Sequence, residues 1–303
     1  LEQGRMPHAL LLSGPAGTGK RHLAERMVAG LLCEGGAAEA CGECRSCRLL
    51  GGGAHPDRFL VHPEPDKREI TIDAIRELNA GLVLTTTMSP RKVALVAPAE
   101  VMNRNAANAL LKTLEEPPGH AVMILLADDA SRLPATILSR CQSLLVRAPD
   151  RALAVSWLAG ETGLDEAAAR LALEATAGSP LRARDLVEGE LLDRYRSLRD
   201  ALEGLIGKPS RAAALAQTLQ DLDGTHTWTW LSLAASGALA SVLGATDGNW
   251  PETDYDLPAD RLAALQQRAD RNRGFLASTV RQDLLLKEWL LEWARLPARE
   301  PIR

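Results

Sequence analysis

Three short apolar runs in the first half of the chain are typical of buried parallel strands. They cover residues 9–13, 93–96 and 122–127. The first run leads into a glycine-rich turn and then into helical spacing over residues 22–32, and a helical pattern precedes each of the other two runs. This alternation predicts an α/β domain over residues 1–148, with a parallel sheet between two layers of helices.

Strand signals fade after residue 147, and the remainder of the chain reads as short helices separated by glycine and proline turns. We expect a small all-α domain over residues 149–202 and a second all-α domain over residues 203–303. In the second of these, four large apolar residues share one helical face. They are Leu286, Trp289, Leu290 and Trp293. This stripe has two interpretations: an ordinary core face, or a helix that packs on partner subunits.

The composition is that of an ordinary globular protein and narrows the function only slightly. The chain has 303 residues, 46% hydrophobic and 24% charged, with a net charge of -4. This balance provides no global electrostatic reason to bind nucleic acid. No apolar run reaches the roughly 18 residues needed to span a bilayer, and no signal peptide is apparent, so we expect a cytoplasmic protein without membrane contact. Because the sequence starts at Leu1, we also expect further N-terminal residues.

The glycine-rich turn has the spacing of a phosphate-binding loop, or P-loop. Its candidate nucleotide-binding residues are Gly14, Gly17, Thr18, Gly19, Lys20 and Arg21. In a hydrolytic P-loop enzyme, a Ser or Thr after the lysine ligates magnesium, and an acidic residue after a later strand completes the site. Here Arg21 follows the lysine, and the strand at 93–96 leads into Ala97-Pro98. The sequence therefore predicts an ATPase fold that does not hydrolyse ATP, and it leaves binding of ATP or ADP open.

Four of the five cysteines form a cluster with the spacing C-x7-C-x2-C-x2-C. They are Cys33, Cys41, Cys44 and Cys47, whereas Cys141 stands alone. Four thiolates saturate zinc, so this spacing predicts a structural zinc site with no open position for water. An iron–sulfur cluster and free thiols are the open alternatives.

The motif Ser139-Arg140-Cys141 follows the apolar run at 122–127. An arginine near the edge of a P-loop domain is able to reach the γ-phosphate bound by a neighbouring subunit. The other interpretation of Arg140 is a surface salt bridge.

These motifs together resemble the delta-prime subunits of the bacterial DNA polymerase III clamp loader, within the AAA+ clamp-loader family. The resemblance rests on residues 5–12 (RMPHALLL), the P-loop at 14–20, the cysteine module, residues 105–118 (NAANALLKTLEEPP) and Ser139-Arg140-Cys141. It covers residues 5–141 densely, and the helical remainder matches mainly in size and character.

The resemblance implies a RecA-like AAA+ domain at 1–148 with a zinc module at 33–47, a three-helix lid at 149–202 and a helical collar at 203–303. It also implies a non-hydrolysing stator in a hetero-pentamer with gamma/tau ATPase subunits and a delta subunit. That complex belongs to the DNA polymerase III holoenzyme and loads the sliding clamp onto primed DNA at the replisome. In this family Arg140 corresponds to an arginine finger that acts on the neighbour's nucleotide.

The sequence leaves two alternative functions open. A catalytically active gamma/tau-like ATPase would need magnesium ligands from elsewhere, such as Asp128, Asp129 or Glu100. A zinc-bearing DNA-binding protein is disfavoured by the acidic balance and the closed ligand set. Arg182, in the lid, is a candidate phosphate sensor of the kind that motors carry there, and Arg21 is a candidate substitute for the magnesium charge.

Overall fold

The computed structural model describes residues 7–36, 39–245 and 257–297. The chain divides into two compact units, and the boundary lies between Asp150 and Arg151. Residues 5–6 of the N-terminal motif lie outside the described residues.

The first unit is built on a five-stranded parallel sheet in the order β2-β3-β4-β1-β5. The strands are β1 (Ala9–Ser13), β2 (Arg58–Val61), β3 (Val93–Val96), β4 (Val122–Ala127) and β5 (Gln142–Leu145). Every residue of β1, β3 and β4 is buried, as a parallel sheet covered on both faces requires. The three apolar runs predicted to be strands are thus confirmed.

Helices cover both faces of this sheet. They are α1 (Lys20–Leu32), α2 (Arg45–Gly51), α3 (Ile72–Val83), α4 (Arg104–Glu115) and α5 (Ala135–Leu138). Helix α1 shares one hydrophobic core with alternate residues of the central strands, while α3 and α4 share a second core with the intervening strand residues. Asn103 caps α4 by accepting a hydrogen bond from the Ala106 backbone N–H at 2.9 Å. The predicted α/β fold class is confirmed.

Strands β2 and β5 form the edges of the sheet and were not predicted from the sequence. All four residues of β5 are exposed, including Leu144 and Leu145. Because neither edge strand needs a continuous apolar run, the burial pattern that identifies the three central strands is missing from both.

The described residues of the second unit form helices without strands. They are α6 (Arg151–Thr162), α7 (Glu166–Glu174), α8 (Pro180–Glu188), α9 (Leu192–Leu205), α10 (Ala212–Thr218), α11 (Gly224–Val242), α12 (Ala259–Gly274) and α13 (Gln282–Ala294). One hydrophobic core extends through all of them. The predicted lid–collar boundary at 202/203 falls within α9, and the three-domain division stays a prediction.

The apolar stripe of α13 lies in the core of its own unit. Trp289 and Trp293 are fully buried, and their rings stack with centroids 5.3 Å apart. The Trp289 indole N–H donates to the Leu265 carbonyl and that of Trp293 to the Leu202 carbonyl, each at 2.8 Å. These contacts satisfy both indole donors, so the core interpretation holds and these faces are not available to a partner.

We predict that Trp289→Ala lowers the free energy of unfolding by about 3–5 kcal/mol, because it leaves a cavity in a fully buried site. Leu284→Ala is the matched control on the same helix, since Leu284 is 52% exposed, and it should change stability by less than about 0.5 kcal/mol. Urea unfolding followed by circular dichroism measures both. Equal midpoints for the two variants would contradict the burial of Trp289.

Candidate functional site

The glycine-rich loop lies between β1 and α1, at the carboxyl edge of the sheet where α/β proteins bind ligands. Gly14, Gly17 and Gly19 have φ values of 145°, 75° and 89°, which favour glycine. A Cβ on Gly14 would lie 2.0 Å from the Val146 carbonyl oxygen. The loop therefore packs directly against the backbone that follows β5, and a side chain at position 14 would push these two segments apart.

Lys20, the P-loop lysine, is buried and has three oxygen partners. Its Nζ donates to the carbonyls of Gly14 at 2.6 Å and Pro15 at 2.7 Å, and it forms an ion pair with Asp128 Oδ1 at 2.7 Å. An ammonium group has three donors, so this arrangement satisfies all of them. The Thr18 hydroxyl donates to the Pro15 carbonyl at 2.9 Å.

The positions that hold magnesium in a hydrolytic P-loop enzyme carry no oxygen-bearing side chain here. Arg21 lies in the first turn of α1, more than half exposed, with its Nε 3.4 Å from Glu25 Oε1. Ala97 follows β3 directly and is buried, and Pro98 comes next. Magnesium requires oxygen ligands in octahedral geometry, which none of these three side chains supplies.

An acidic residue nevertheless lies beside the loop, at the end of the neighbouring strand β4. Asp128 pairs with Lys20, and its own backbone N–H donates to Glu100 Oε1 at 2.8 Å. The other oxygen of Glu100, Oε2, is buried and has no hydrogen-bond partner among the described residues. Asp129 faces a local turn instead: its carboxylate accepts from the hydroxyl and the backbone N–H of Ser131, which lower the pKa of Asp129.

The structure brings the four clustered cysteines together. Cys33 ends α1, Cys44 caps α2, Cys47 lies in the first turn of α2, and Cys41 lies in the loop between these helices. Their sulfurs all lie within 4.8 Å of one another, with Sγ–Sγ distances of 3.6 Å for Cys33–Cys41 and 4.0 Å for Cys41–Cys47. Four sulfurs bonded at about 2.3 Å to one tetrahedral ion are separated by about 3.8 Å. The cluster therefore has the dimensions of a single-ion site.

Backbone donors stabilise the thiolate forms of Cys33 and Cys44. The N–H groups of Cys41 and Gly35 each lie 3.4 Å from Cys33 Sγ and lower the pKa of Cys33. The Cys47 N–H, 3.3 Å from Cys44 Sγ, lowers the pKa of Cys44. Burial raises the pKa of Cys47 to about 12, so binding a metal at this thiol would release a proton.

A buried polar network attaches the cysteine module to the α/β core. The Ser46 hydroxyl donates to the Leu32 carbonyl at 2.6 Å and lies 2.7 Å from His55 Nε2. His55 Nδ1 accepts from the Asp57 backbone N–H at 3.1 Å, so Nε2 carries the proton, and burial lowers the pKa of His55. The Asp57 carboxylate in turn accepts the backbone N–H groups of residues 87–89. The sequence does not indicate this network, because its members are scattered along the chain.

Arg140 lies just after α5 and forms a surface ion pair. Its Nε donates to Glu115 Oε1 at 2.9 Å, its Nη2 contacts the same oxygen, and its Nη1 donates to the Thr136 carbonyl at 2.9 Å. The side chain is 33% exposed and that of Glu115 is 49% exposed. The guanidinium is thus held in one orientation while part of it faces solvent. Cys141, next along the chain, lies outside the cysteine cluster, and burial raises its pKa to about 11.

Arg182 belongs to α8 in the second unit, where its side chain is exposed. It lines a cavity of about 650 Å³ together with Asp185, Asp270 and Arg273.

Among the described residues, no helix is both long and apolar enough to cross a membrane.

The parallel sheet and the glycine-rich loop between β1 and α1 define an α/β P-loop protein of the AAA+ type. A solved structure of a DNA polymerase III gamma subunit-related protein from Thermotoga maritima has a similar fold. It matches with a TM-score of 0.50 and 18% sequence identity, over 94% of this chain and 93% of that one.

Sequence comparison identifies the family. The family model described as "DNA polymerase III, delta subunit" matches residues 1–150. A DNA polymerase III subunit delta' from Pseudomonas aeruginosa is 36% identical over 96% of this chain and 92% of the relative. The Escherichia coli protein of the same name is 37% identical over 85% of this chain and 76% of the relative. The chain belongs to the delta-prime subunit family of DNA polymerase III, which confirms the resemblance.

Proposed function

We propose that this chain is a non-hydrolysing stator of the DNA polymerase III clamp loader. In this role it helps to load the sliding clamp onto primed DNA and supplies Arg140 as an arginine finger to a neighbouring ATPase subunit. The observation that carries the proposal is the contrast between two sites. The positions for magnesium hold Arg21, Ala97 and Pro98, whereas Arg140 is present, oriented and partly exposed.

The absence of hydrolysis follows from the chemistry of phosphoryl transfer. Catalysis of this step depends on a metal that neutralises charge between the β- and γ-phosphates and on a residue that positions the attacking water. A guanidinium, a methyl group and a proline ring perform neither task. Whether the intact glycines and Lys20 bind ATP or ADP is a separate question from turnover, because loop amides and a lysine can hold phosphate without a metal.

The contacts of Arg140 suit a group that acts on another subunit. Glu115 and the Thr136 carbonyl orient the guanidinium before any phosphate arrives. An exposed ion pair is worth only about 0–1 kcal/mol, so exchanging Glu115 for a phosphate oxygen costs little. Because arginine contacts phosphate bidentately, the same side chain is suited to stabilise the charge that develops in the transition state.

The proposed assembly is a hetero-pentamer with gamma/tau ATPase subunits and a delta subunit, at the cytoplasmic replisome. The chain's net charge of -4 fits contact with clamp and DNA through the complex rather than alone. The residues at 149–202 would form the lid and those at 203–303 the collar that joins the subunits. Arg182 lies in the proposed lid, and we propose that it senses phosphate there.

We also propose that the cysteine cluster holds zinc in a structural role. Sulfurs spaced for one ion favour a single metal over an iron–sulfur cluster, in which the thiolates ligate separate irons. Four thiolates leave no open position, so the ion would stabilise the loop between α1 and α2 and take no part in catalysis. Zinc-finger peptides gain about 10–16 kcal/mol of apparent binding free energy from such sites.

A gamma/tau-like active ATPase is the second candidate, and one observation favours it. Asp128 Oδ1 lies 2.7 Å from Lys20 Nζ, and the Asp128 backbone N–H donates to Glu100 Oε1. The other Glu100 oxygen, Oε2, has no hydrogen-bond partner among the described residues. Two carboxylates close to a phosphate-binding loop are potential magnesium ligands. Asp128 follows β4, and Glu100 lies four residues beyond the end of β3, so neither occupies the position directly after β3 where hydrolytic P-loop enzymes place the acidic residue.

We predict that Arg140→Ala leaves the pentamer assembled but slows DNA-stimulated ATP hydrolysis by about 10³–10⁵-fold at the site it serves. Arg140→Lys should recover only part of the rate, because an ammonium lacks the bidentate geometry. Arg76→Ala is the matched control, since Arg76 forms a comparable surface ion pair with Asp73 at 3.2 Å. Unchanged turnover by the reconstituted Arg140→Ala complex would refute the arginine-finger role.

We predict that purified protein contains one zinc and that Cys44→Ser loses it, with lower solubility and a lower melting temperature. Cys141→Ser is the control and should retain the metal, because Cys141 lies outside the cluster. Elemental analysis of anaerobically purified protein and thermal unfolding measure these effects. An excess of iron would overturn the choice of zinc, and a Cys44→Ser protein that melts like wild type without metal would overturn the structural role.

A further inference from the structure

The P-loop lysine of this chain already has the anionic partner that a nucleotide phosphate would provide. Lys20 is buried, and its three donors are used by two loop carbonyls and by Asp128. The Asp128 side chain is 52% exposed, so its carboxylate contacts both the buried ammonium and solvent. A phosphate that approached Lys20 would meet this carboxylate.

The parallel sheet sets the position of Asp128. Strands β1 and β4 pair in register, with Ser13 opposite Ala127, so the residues that follow them lie side by side. The Gly14 N–H donates to the Ala127 carbonyl at 3.2 Å, and Glu100 accepts the Asp128 N–H at 2.8 Å. The backbone at Asp128 is therefore held beside the loop by the sheet on one side and by the Glu100 carboxylate on the other.

The negative charge of Asp128 affects whether a nucleotide can bind to this loop. The lysine of a P-loop contacts the β- and γ-phosphates of bound nucleotide. Here it would have to leave Asp128, and the phosphates would then face a carboxylate of the same sign, which disfavours binding. Magnesium between the two would offset the repulsion, but Arg21, Ala97 and Pro98 supply no ligand at the positions that hold this ion in hydrolytic P-loop enzymes.

We propose that Asp128 is the specificity-determining residue of this P-loop: its carboxylate takes the place of a phosphate at Lys20 and excludes nucleoside triphosphates. This inference deepens the proposed non-hydrolysing role and rests on it, since an active ATPase would use the same carboxylate as a magnesium ligand. The loop then keeps its shape without nucleotide, because every Lys20 donor is satisfied within the chain.

The test is ATP binding to the purified full chain by calorimetry, with and without magnesium. Asp128→Asn removes the charge but keeps an oxygen for Lys20, and it should bind ATP at least about tenfold more tightly than wild type without magnesium. Adding Lys20→Ala to this variant should abolish the gain. Asp129→Asn is the matched control, because it makes the same change at the next residue, whose carboxylate contacts Ser131, and it should bind like wild type.

Two results would overturn the inference. If Asp128→Asn binds ATP no better than wild type, the ion pair does not exclude nucleotide. If it weakens magnesium-dependent binding, Asp128 is a metal ligand. Asp128→Ser, a second neutral variant, applies the same test should Asp128→Asn fail to fold. The readout needs no partner subunit, so a failure of Arg140 in the reconstituted complex would leave this result standing, and the reverse also holds.

Discussion

The parallel pairing of β1 with β4 on one side and β5 on the other determines what the glycine-rich loop contacts. The pairing places Asp128 and Val146 on either side of Gly14. Asp128 supplies a carboxylate for Lys20, and Val146 leaves no room for a side chain at Gly14. The loop geometry of a nucleotide-binding protein is thus retained by internal contacts, although the oxygen ligands for magnesium are missing.

The same unit supports two further sites away from the loop. The cysteine module is joined to the sheet by the network of Ser46, His55 and Asp57, so its position depends on the α/β core as well as on a metal. Arg140 is oriented by the end of α4 through Glu115. An α/β unit that orients a surface arginine fits the proposed role, in which the subunit contributes to catalysis on its neighbour.

The sequence predicted those parts of the fold whose residues are buried in a regular pattern. The central strands and the helices between them follow from continuous apolar runs, and the cysteine cluster follows from its spacing. Strand β5 escaped prediction because all four of its residues are exposed. The sequence indicates Asp128 only as an alternative magnesium ligand, because its contact with Lys20 requires β4 to be the neighbour of β1 in the sheet. The order of elements along the chain does not specify that neighbour. The stripe on α13 had two interpretations until the indole hydrogen bonds placed it inside its own unit.

Steady-state ATP hydrolysis by the purified chain alone, with magnesium and primed DNA present, tests the central claim most directly. It separates a stator from a motor without any partner subunit. We predict no turnover above background. Turnover that disappears on Lys20→Ala would contradict it and would mean that this chain hydrolyses ATP at its own P-loop.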